Sequence, residues 1–382
     1  MLPPDFTLLQ VTPALDAGGV ERTTVDVAAA VVRAGGRALV ASAGGRLEGE
    51  LREAGGRLIE LPVDSKNPLQ MLLNVRRLEA VIRQEAVTLV HARSRASAWS
   101  ALAAARRTRT PFVTTYAGAH SARSSLKRAY NSIMARGEVV IANSAWTRDH
   151  LLAEHDTAPE KVRVIPRGVD LARFDPLKVD VRRLREARAR LDLGPFEHRP
   201  VFLLAGRLTR WKGQALLIEA LARSGVDAQL VLAGDDQGRT GYRDELAVAA
   251  ERLGVADRVR IVGHLDDMPA AYAACDFACA PSLQPEAFGR TAVEPQAMKR
   301  PVLAAAHGAP AETVVDGETG VLVTPGDVDA WAAALRAAVE TPPALRAHMG
   351  EAGRENAARY SLQAMTDATL EIYAELAPAP PA

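Results

Sequence analysis

The feature that most constrains the fold is a set of short apolar runs, rich in Val, Leu and Ile, that alternate with helix-length segments. The first series lies at 6–12, 37–42, 57–62, 87–92, 111–116 and 139–144. The pattern then restarts at 200–206, 228–234, 258–263, 276–282, 300–306 and 320–326. Short β-rich runs that alternate with helices predict βαβ units and parallel sheets. We therefore expect an α/β chain with two Rossmann-like, doubly wound domains, whose ligands bind at the carboxyl ends of the strands.

The division into two domains agrees with the length of 382 residues, because single domains usually have 100–200 residues. Three residues that favour turns, Pro166, Gly168 and Pro176, mark the link between the two series. We place the first domain at 1–170, the second at 171–360, and a C-terminal helix with a frayed tail at 361–382.

The composition excludes several classes of protein. With 48% apolar and 24% charged residues, the chain is neither disordered nor fibrous. No apolar run approaches the roughly 20 residues that span a bilayer, and the N-terminus lacks a basic signal-peptide region. We expect a cytoplasmic protein. Cys275 and Cys279 stand in an apolar run, which predicts buried core thiols and not a disulfide or a zinc site.

One segment of the first domain carries charge of a single sign. Between His91 and Arg136 there are nine Lys and Arg residues and no acidic residue. Such a segment fits an anionic partner, either a membrane surface or a phosphorylated substrate. The alternative is a solvated face whose acidic partners come from elsewhere in the fold. Nothing in the segment resembles a nucleic-acid-binding motif.

The loop after the first strand of the second domain, GRLTRWKG at 206–213, contains two cations five residues apart. Arg207 and Lys212 are well spaced to hold a diphosphate against the start of the following helix. The GxxxxGK[ST] spacing of a phosphate-binding P-loop is absent. The alternative is an ordinary solvated loop.

A second loop, PEAFGRTAVE at 285–294, is the most specific motif. Glu286 precedes a predicted helix, and Glu294 lies about one turn into it. The backbone N–H groups of Phe288, Gly289 and Arg290 would form the anion-attracting end of that helix. One carboxylate would accept hydrogen bonds from a sugar and the other from a ribose. The alternative is a helix with an acidic residue in its first turns, where the helix dipole favours acids.

Two further loops lie at strand ends of the first domain. Gly18 and Gly19 allow close approach of an anion to a helix N-terminus, although glycines are common in any βα turn. The loop TTYAGAH at 114–120 ends in His120, which is either a general acid or base or a surface residue.

Together these motifs resemble the retaining nucleotide-sugar glycosyltransferases of family 4, including bacterial lipopolysaccharide and capsule enzymes. The resemblance covers nearly the whole chain, from GGVERTTVDVA near the start through HARSRASAWSALAAARR and VIPRGVD to GRLTRWKG, VGHLDDMPAAY and PEAFGRTAVEPQAM. It implies the GT-B architecture, in which two Rossmann-like domains face each other across a cleft. The first domain would take the acceptor, the second the donor, and the helix near 361–376 would return to the first domain.

The resemblance also implies roles for the donor-side residues. Arg207 and Lys212 would bind the diphosphate of the donor and stabilise the leaving group. Glu286 would contact the donor sugar, and Glu294 would hold the ribose.

The remaining implied contacts come from backbone. The groups around Phe288, Gly289 and Arg290 would lie against the donor beside the catalytic Glu286. Gly18 and Gly19 would line the phosphate and acceptor side. Retention is usually written as attack on the face that the diphosphate leaves, with the diphosphate accepting the acceptor's proton.

One position departs from the family pattern. Relatives commonly read TTYHG where this chain reads TTYAG, so Ala117 stands where a histidine is expected near the donor sugar. His120 follows three residues later, but a tight loop would direct it elsewhere. The departure indicates an engineered change, a lineage with altered donor contacts, or a protein that has lost turnover.

We therefore expect a retaining hexosyltransferase that moves a sugar from a nucleotide diphosphate sugar to a glycan or lipid-linked acceptor in the biosynthesis of lipopolysaccharide or another cell-surface polysaccharide. It would need no cofactor or metal, bind no nucleic acid, and contact the inner face of the membrane through residues 93–136. The rivals are a nucleotide-sugar 2-epimerase, a non-catalytic nucleotide-sugar-binding homologue and, least favoured because GxGxxG is absent, a nicotinamide dehydrogenase.

Overall fold

The structure is a computed structural model, and it describes residues 2–16, 18–118, 124–194, 198–236, 238 and 240–377. Contacts divide the chain into two compact units. Unit 1 comprises Met1–Gly168 with Leu362–Ala382, and unit 2 comprises Val169–Ser361. These divisions lie within two residues of the domain limits that we placed at 170 and 360.

The strands in chain order are β1 (Thr7–Val11), β2 (Arg37–Ser42), β3 (Arg57–Glu60), β4 (Leu89–Ala92), β5 (Phe112–Tyr116), β6 (Val139–Ala142), β7 (Val162–Val164), β8 (Val201–Ala205), β9 (Gln229–Ala233), β10 (Val259–Gly263), β11 (Phe277–Ala280), β12 (Val302–Ala305) and β13 (Gly320–Val323). The helices are α1 (Gly19–Arg33), α2 (Glu48–Glu53), α3 (Pro68–Gln84), α4 (Arg95–Thr108), α5 (Ser125–Asn131), α6 (Ala145–Glu154), α7 (Val181–Arg190), α8 (Gln214–Ser224), α9 (Thr240–Arg252), α10 (Met268–Ala273), α11 (Arg290–Ala297), α12 (Pro310–Thr313), α13 (Val328–Glu340), α14 (Pro343–Ala358) and α15 (Leu362–Leu376).

Each unit contains one parallel sheet within its described residues. The sheet of unit 1 has the order β3-β2-β1-β4-β5-β6-β7, and that of unit 2 the order β10-β9-β8-β11-β12-β13. Both orders reverse beside the first strand of the unit, between β1 and β4 and between β8 and β11. Such a reversal is where doubly wound sheets bind ligands. The prediction of two Rossmann-like domains, as in the GT-B architecture, is confirmed.

Most strand residues are apolar because helices cover both faces of each sheet. In β1, Leu9 and Val11 pack on the face covered by α3 and α4, whereas Leu8 packs on the opposite face with α1 and α15. In unit 2, Trp331 of α13 and Phe288 belong to the cores of opposite faces. Cys275 and Cys279 are buried free thiols, and burial raises the pKa of Cys275 to about 12.

Local signals account for several helix starts. Asn67 accepts hydrogen bonds from the backbone N–H groups of Leu69 and Gln70, and Pro68 occupies the first position of α3. Ser144 caps α6, and Asp267 caps α10 by accepting from Ala270 N.

The sequence interpretation missed β7, which comes just before Pro166, Gly168 and Pro176 in the link between the domains. Only Val162 of this edge strand is buried, while Arg163 and Val164 are exposed. A strand with one buried residue lacks the apolar run on which the prediction depends. The C-terminal helix α15 belongs to unit 1, where Tyr373 and Met365 join the core beside α1.

No helix in the described ranges is both long and apolar enough to cross a membrane.

Candidate active site

The strongest candidate site in unit 2 lies where β8 and β11 run side by side. The loop 206–213 continues from β8, and the loop 281–289 continues from β11. Two segments that are 74 residues apart in sequence thus lie next to each other at one edge of the sheet. The predicted diphosphate loop and the predicted Glu286 loop are therefore neighbours.

Lys212 and Glu286 form an ion pair in this place. Lys212 Nζ lies 2.8 Å from Glu286 Oε1, and the two side chains are only 13% and 11% exposed. Ser282 donates its hydroxyl to the same carboxylate oxygen, and Lys212 Nζ also lies 4.5 Å from the ring centroid of Trp211. The ammonium has three N–H groups, so the pair leaves donors for a further anion.

The loop that carries Glu286 is held by backbone from a third segment. Ala309 N donates to Glu286 O at 2.9 Å, and His307 Nε2 lies 2.8 Å from Ser282 O. Gly308 adopts φ 63°, and a Cβ there would come 2.7 Å from both the N and the O of Glu286. Glycine is therefore required at 308 for two reasons, its conformation and this close approach.

Phe288, Gly289 and Arg290, the backbone residues predicted to face the donor, lie at the start of α11. Gly289 precedes the helix with φ 72°, and Arg290 is its first residue, with a buried Nε that has no partner among the described residues. The Phe288 side chain is buried, and its ring lies 6.1 Å from that of Tyr360. Phe288 therefore serves the core with its side chain, so a donor contact there would involve its backbone.

Glu294 lies deeper along α11. Tyr272 Oη lies 3.5 Å from Glu294 Oε2, and burial raises the pKa of this carboxyl, against the opposing effects of Arg290 and Arg173. Desolvation favours the neutral form of an acid. A group that holds Glu294 as a carboxylate would therefore have to supply hydrogen-bond donors, as ribose hydroxyls do.

Arg207 is exposed at the beginning of the loop after β8. Its backbone carbonyl accepts a hydrogen bond from Gln214 Nε2 at 2.9 Å. Among the described residues its guanidinium has no ion pair or hydrogen bond, so it is available to an anion.

The glycines predicted in unit 1 lie at the start of α1, after β1. A Cβ at Gly19 would collide with the guanidinium of Arg167, which follows β7. A Cβ at Gly18 would meet the carboxylate of Glu21. The close approach expected of these glycines is thus made by side chains of the same unit.

Ala117 follows β5 and lines two adjoining pockets of unit 1. Both pockets are also lined by Val20, Arg93 and Thr115. One of them reaches Asn143, which follows β6. The residue in place of the expected histidine therefore borders an open space.

Arg93 is buried at the floor of these pockets and has no ion pair among the described residues. Its Nε donates to Gln10 Oε1 at 2.7 Å, and Gln10 Nε2 in turn donates to Thr24 O. The Nη2 of Arg93 and both amide atoms of Asn143 are buried without partners in the described part of the chain. Burial lowers the pKa of Arg93 from its ordinary value.

Sequence reasoning missed Arg93 and Asn143 as individual site residues. Arg93 was one of nine cations in the basic segment, and Asn143 was noted only as part of a strand end. The available signal was position, because Arg93 directly follows the predicted strand at 87–92 and Asn143 lies at the end of the predicted strand at 139–144. His120 and Arg123 lie outside the described residues.

The basic segment is not one uniform face. Arg107 lies near Glu79 and Arg128 near Glu154, at 3.6 and 3.9 Å, while Arg136 stacks over Trp99. For Arg107 and Arg128 these contacts agree with the alternative interpretation of the basic segment, a solvated face whose acidic partners come from elsewhere in the fold.

His91 is a buried histidine whose two ring nitrogens both contact hydroxyl groups of the protein. His91 Nδ1 lies 2.6 Å from Tyr373 Oη on α15, and its Nε2 lies 2.7 Å from Thr115 Oγ1. Burial holds the pKa of His91 well below its ordinary value, and burial also raises the pKa of Tyr373 to about 12. Among the described residues, no group of three or more His, Cys, Asp or Glu residues is arranged to hold a metal ion.

Comparison with known proteins adds the family. Residues 17–173 match the family described as Glycosyltransferase Family 4, and residues 186–356 match Glycosyl transferases group 1. A crystal structure of a glycosyltransferase from Rickettsia africae is 34% identical, with 98% of this chain and 99% of that chain covered and a TM-score of 0.91. Alr3699/HepE from Anabaena, solved in complex with UDP and glucose, is 25% identical, with 97% and 100% covered and a TM-score of 0.84.

Curated relatives are matched over part of their length. A D-inositol 3-phosphate glycosyltransferase from Segniliparus rotundus is 34% identical over 246 residues, which are 63% of this chain and 53% of that protein. The chain thus spans about half the length of this relative. Both family matches and the full-length similarity to the Rickettsia protein agree, and the chain belongs to the family 4 and group 1 glycosyltransferases.

Proposed function

We propose that this protein is a retaining hexosyltransferase that moves a sugar from a nucleotide diphosphate sugar to a glycan or lipid-linked acceptor. The observation that carries the proposal is the Lys212–Glu286 pair at the carboxyl ends of two neighbouring strands, beside Arg207 and the start of α11. This cluster offers a cation for a diphosphate and a carboxylate for sugar hydroxyls in one place. The complex of the Anabaena relative with UDP and glucose supports the donor class.

In this proposal the donor lies along the edge of unit 2. Arg207 and Lys212 bind the diphosphate, and Glu286 accepts hydrogen bonds from the sugar. Glu294 accepts from the ribose. The backbone of Phe288, Gly289 and Arg290 contributes the N-terminal end of α11, whose dipole favours negative charge. In unit 1, Gly18 and Gly19 line the side where phosphate and acceptor meet.

The transfer breaks the bond between the anomeric carbon and a diphosphate oxygen while the acceptor oxygen bonds to the same face of that carbon. The acceptor's proton passes to the departing diphosphate oxygen. Arg207, Lys212 and the start of α11 stabilise the negative charge that develops on the diphosphate. The scheme uses no metal or other cofactor.

We infer that the acceptor belongs to lipopolysaccharide or other cell-surface polysaccharide biosynthesis, and that the protein acts at the inner face of the cell membrane. The name of the curated relatives adds a phosphorylated cyclitol as a competing acceptor class.

Contact with anionic lipid is supported by exposed Leu126 and by the exposed cations Arg106, Arg109 and Lys127. Co-sedimentation with vesicles, with and without anionic lipid, tests this contact, and binding that does not depend on anionic lipid or salt would refute it.

A second candidate is a nucleotide-sugar-binding homologue without turnover, and Ala117 is the observation that favours it. Replacing Ala117 with His restores the residue expected in the family. If the site is otherwise competent, turnover should rise, by about 100- to 1,000-fold when a full transition-state contact is regained. If Ala117→His binds the donor but transfers the sugar neither to an acceptor nor to water, the non-catalytic nucleotide-sugar-binding function is favoured.

The decisive first experiment is a thermal-shift panel of the purified protein with UDP, GDP, ADP, CMP and their sugar conjugates. A ligand at 100 times its dissociation constant stabilises by roughly 2.7 kcal/mol, which is readily detected. We expect one diphosphate series to raise the melting temperature, and Arg207→Ala and Glu294→Ala to remove that increase. If no series binds at millimolar concentration, the donor proposal fails.

A further inference from the structure

Arg93 is a buried cation whose charge is not neutralised locally. It is 5% exposed, it forms no ion pair among the described residues, and its one side-chain hydrogen bond goes to the neutral amide of Gln10. Asp26 acts on it electrostatically and raises its pKa against the larger, opposite effect of burial. Buried charges are ordinarily paired, so a lone buried guanidinium needs a reason.

The unused hydrogen-bonding groups of the region converge on the same pockets. Arg93 Nη2 and the amide of Asn143 are buried and unpartnered within the described chain, and both residues line the pocket that Ala117 borders. Thr12 Oγ1, also buried and unpartnered, lines the adjoining pocket. Buried polar groups in proteins are nearly always satisfied, so these converging groups are available to a bound molecule.

The orientation of Arg93 is predetermined by the surrounding core. Gln10 is fully buried in β1, and its Nε2 donates to Thr24 O at 2.9 Å. That bond turns Oε1 towards Arg93 Nε. The guanidinium is therefore held in one position before any ligand binds, and its Nη2 has no hydrogen-bond partner in the described part of the chain.

The charge and size of the pockets favour a negative group on a small molecule. Arg93, Arg95 and Arg167 are among the lining residues, and Glu21 is the acidic residue among the described lining of the outer pocket. The outer pocket has a volume of about 160 Å³, about ten times what a single water molecule needs. The alanine at 117 leaves this space open where a histidine would enter it.

We propose that this pocket binds an oxyanion, a carboxylate or a phosphate, with Arg93 as its cation and Asn143 as a second hydrogen-bonding partner. The site lies at the reversal between β1 and β4, where a doubly wound sheet offers its ligand site. The assignment of this oxyanion to the acceptor rests on the proposed function. The binding of the anion to unit 1 does not.

Three hexoses that differ at one carbon test the site by isothermal titration calorimetry. D-glucose 6-phosphate carries a phosphate, D-glucuronate a carboxylate, and D-glucose neither group. We expect one or both charged sugars to bind the wild-type chain and D-glucose not to bind. Binding of only one charged sugar identifies the source of the oxyanion.

The variants locate the binding. Arg93→Gln should weaken it by about 10- to 100-fold, the effect of losing a charge-assisted hydrogen bond. Asn143→Ala should weaken it less and should fold well, because no described residue loses a partner; it decides the question if Arg93→Gln is unstable. The controls are Arg106→Gln, which removes an exposed cation, and Lys212→Ala, which alters the candidate site of unit 2.

The outcomes separate this proposal from the proposed function. Equal affinity in Arg93→Gln and Asn143→Ala, or loss of binding in Lys212→Ala alone, would overturn the unit 1 site. So would absence of binding by both charged sugars to a wild-type chain that still binds a nucleotide diphosphate. If the charged sugars bind through Arg93 but no nucleotide binds, the donor proposal fails and the oxyanion site stands.

Discussion

Lys212 and Glu286 form a nearly buried ion pair, with 2.8 Å between Nζ and Oε1, although they belong to loops after different strands. Each strand continues into the loop that carries one partner, and β8 and β11 are neighbours in the sheet. The pair therefore couples the geometry of two loops that we propose to hold one donor molecule.

The Lys212–Glu286 pair should show strong coupling in a double-mutant cycle. Lys212→Met leaves the Glu286 carboxylate without its cation, and Glu286→Gln leaves the ammonium without its anion. Each single change should lower the free energy of unfolding by roughly 3 kcal/mol, because an uncompensated charge then stays buried. The double variant should lose clearly less than the sum, as measured by urea unfolding. Additive losses would show that the two side chains act independently.

Gly308→Ala should disturb the Glu286 loop. The new Cβ would approach the backbone N and O of Glu286 to 2.7 Å, so that backbone must move. Gly317→Ala is a matched control, because φ is 75° there and nothing lies within 4 Å of the added Cβ. Both variants bear the cost of a left-handed alanine, about 1–2 kcal/mol. We expect only Gly308→Ala to weaken nucleotide-sugar binding as well. Equal affinities in the two variants would contradict the support that Gly308 gives to the loop.

Binding of the nucleotide sugar should weaken on acidification through Glu294. Burial raises the pKa of this carboxyl above its ordinary 4.5, so protonation begins at a higher pH than for an exposed glutamate. The carboxylate is the form that accepts two ribose hydroxyls, so affinity is present above the raised pKa and is lost as pH falls through it. Glu294→Gln cannot titrate and should flatten the profile. Calorimetry with UDP-glucose avoids a titrating terminal phosphate, and identical profiles in both proteins would reject the assignment.

Stability should rise with pH up to about 6.5 because of His91. Burial places the folded pKa of His91 well below its ordinary 6.5, so the unfolded chain binds a proton more readily. The stabilisation is therefore complete above pH 6.5 and is lost as pH falls below it, with a limiting slope of about 1.4 kcal/mol per pH unit. His155, whose pKa burial also lowers, adds in the same direction. His91→Gln should reduce the slope of unfolding free energy against pH, and an unchanged slope would contradict the prediction.

The strands and their two-domain arrangement were predictable because a strand covered on both faces is mostly apolar. All the strands that the sequence predicted occur, from β1 to β6 and from β8 to β13. β7 was missed because an edge strand with one buried residue leaves no such run. The start of α11 was also predictable, since a glycine before a helix is a local signal.

The amino-acid sequence by itself therefore determined the elements, the loops after them and the residue types that those loops carry. Tertiary structure decided which loops meet. Lys212 and Glu286 are 74 residues apart, and their contact depends on the strand order that puts β8 beside β11. It also decided that Arg93 is buried while Arg106, in the same basic segment, stays exposed. Burial and pairing depend on what the other segments cover, and that information lies in the packing of the whole unit and not in the local pattern.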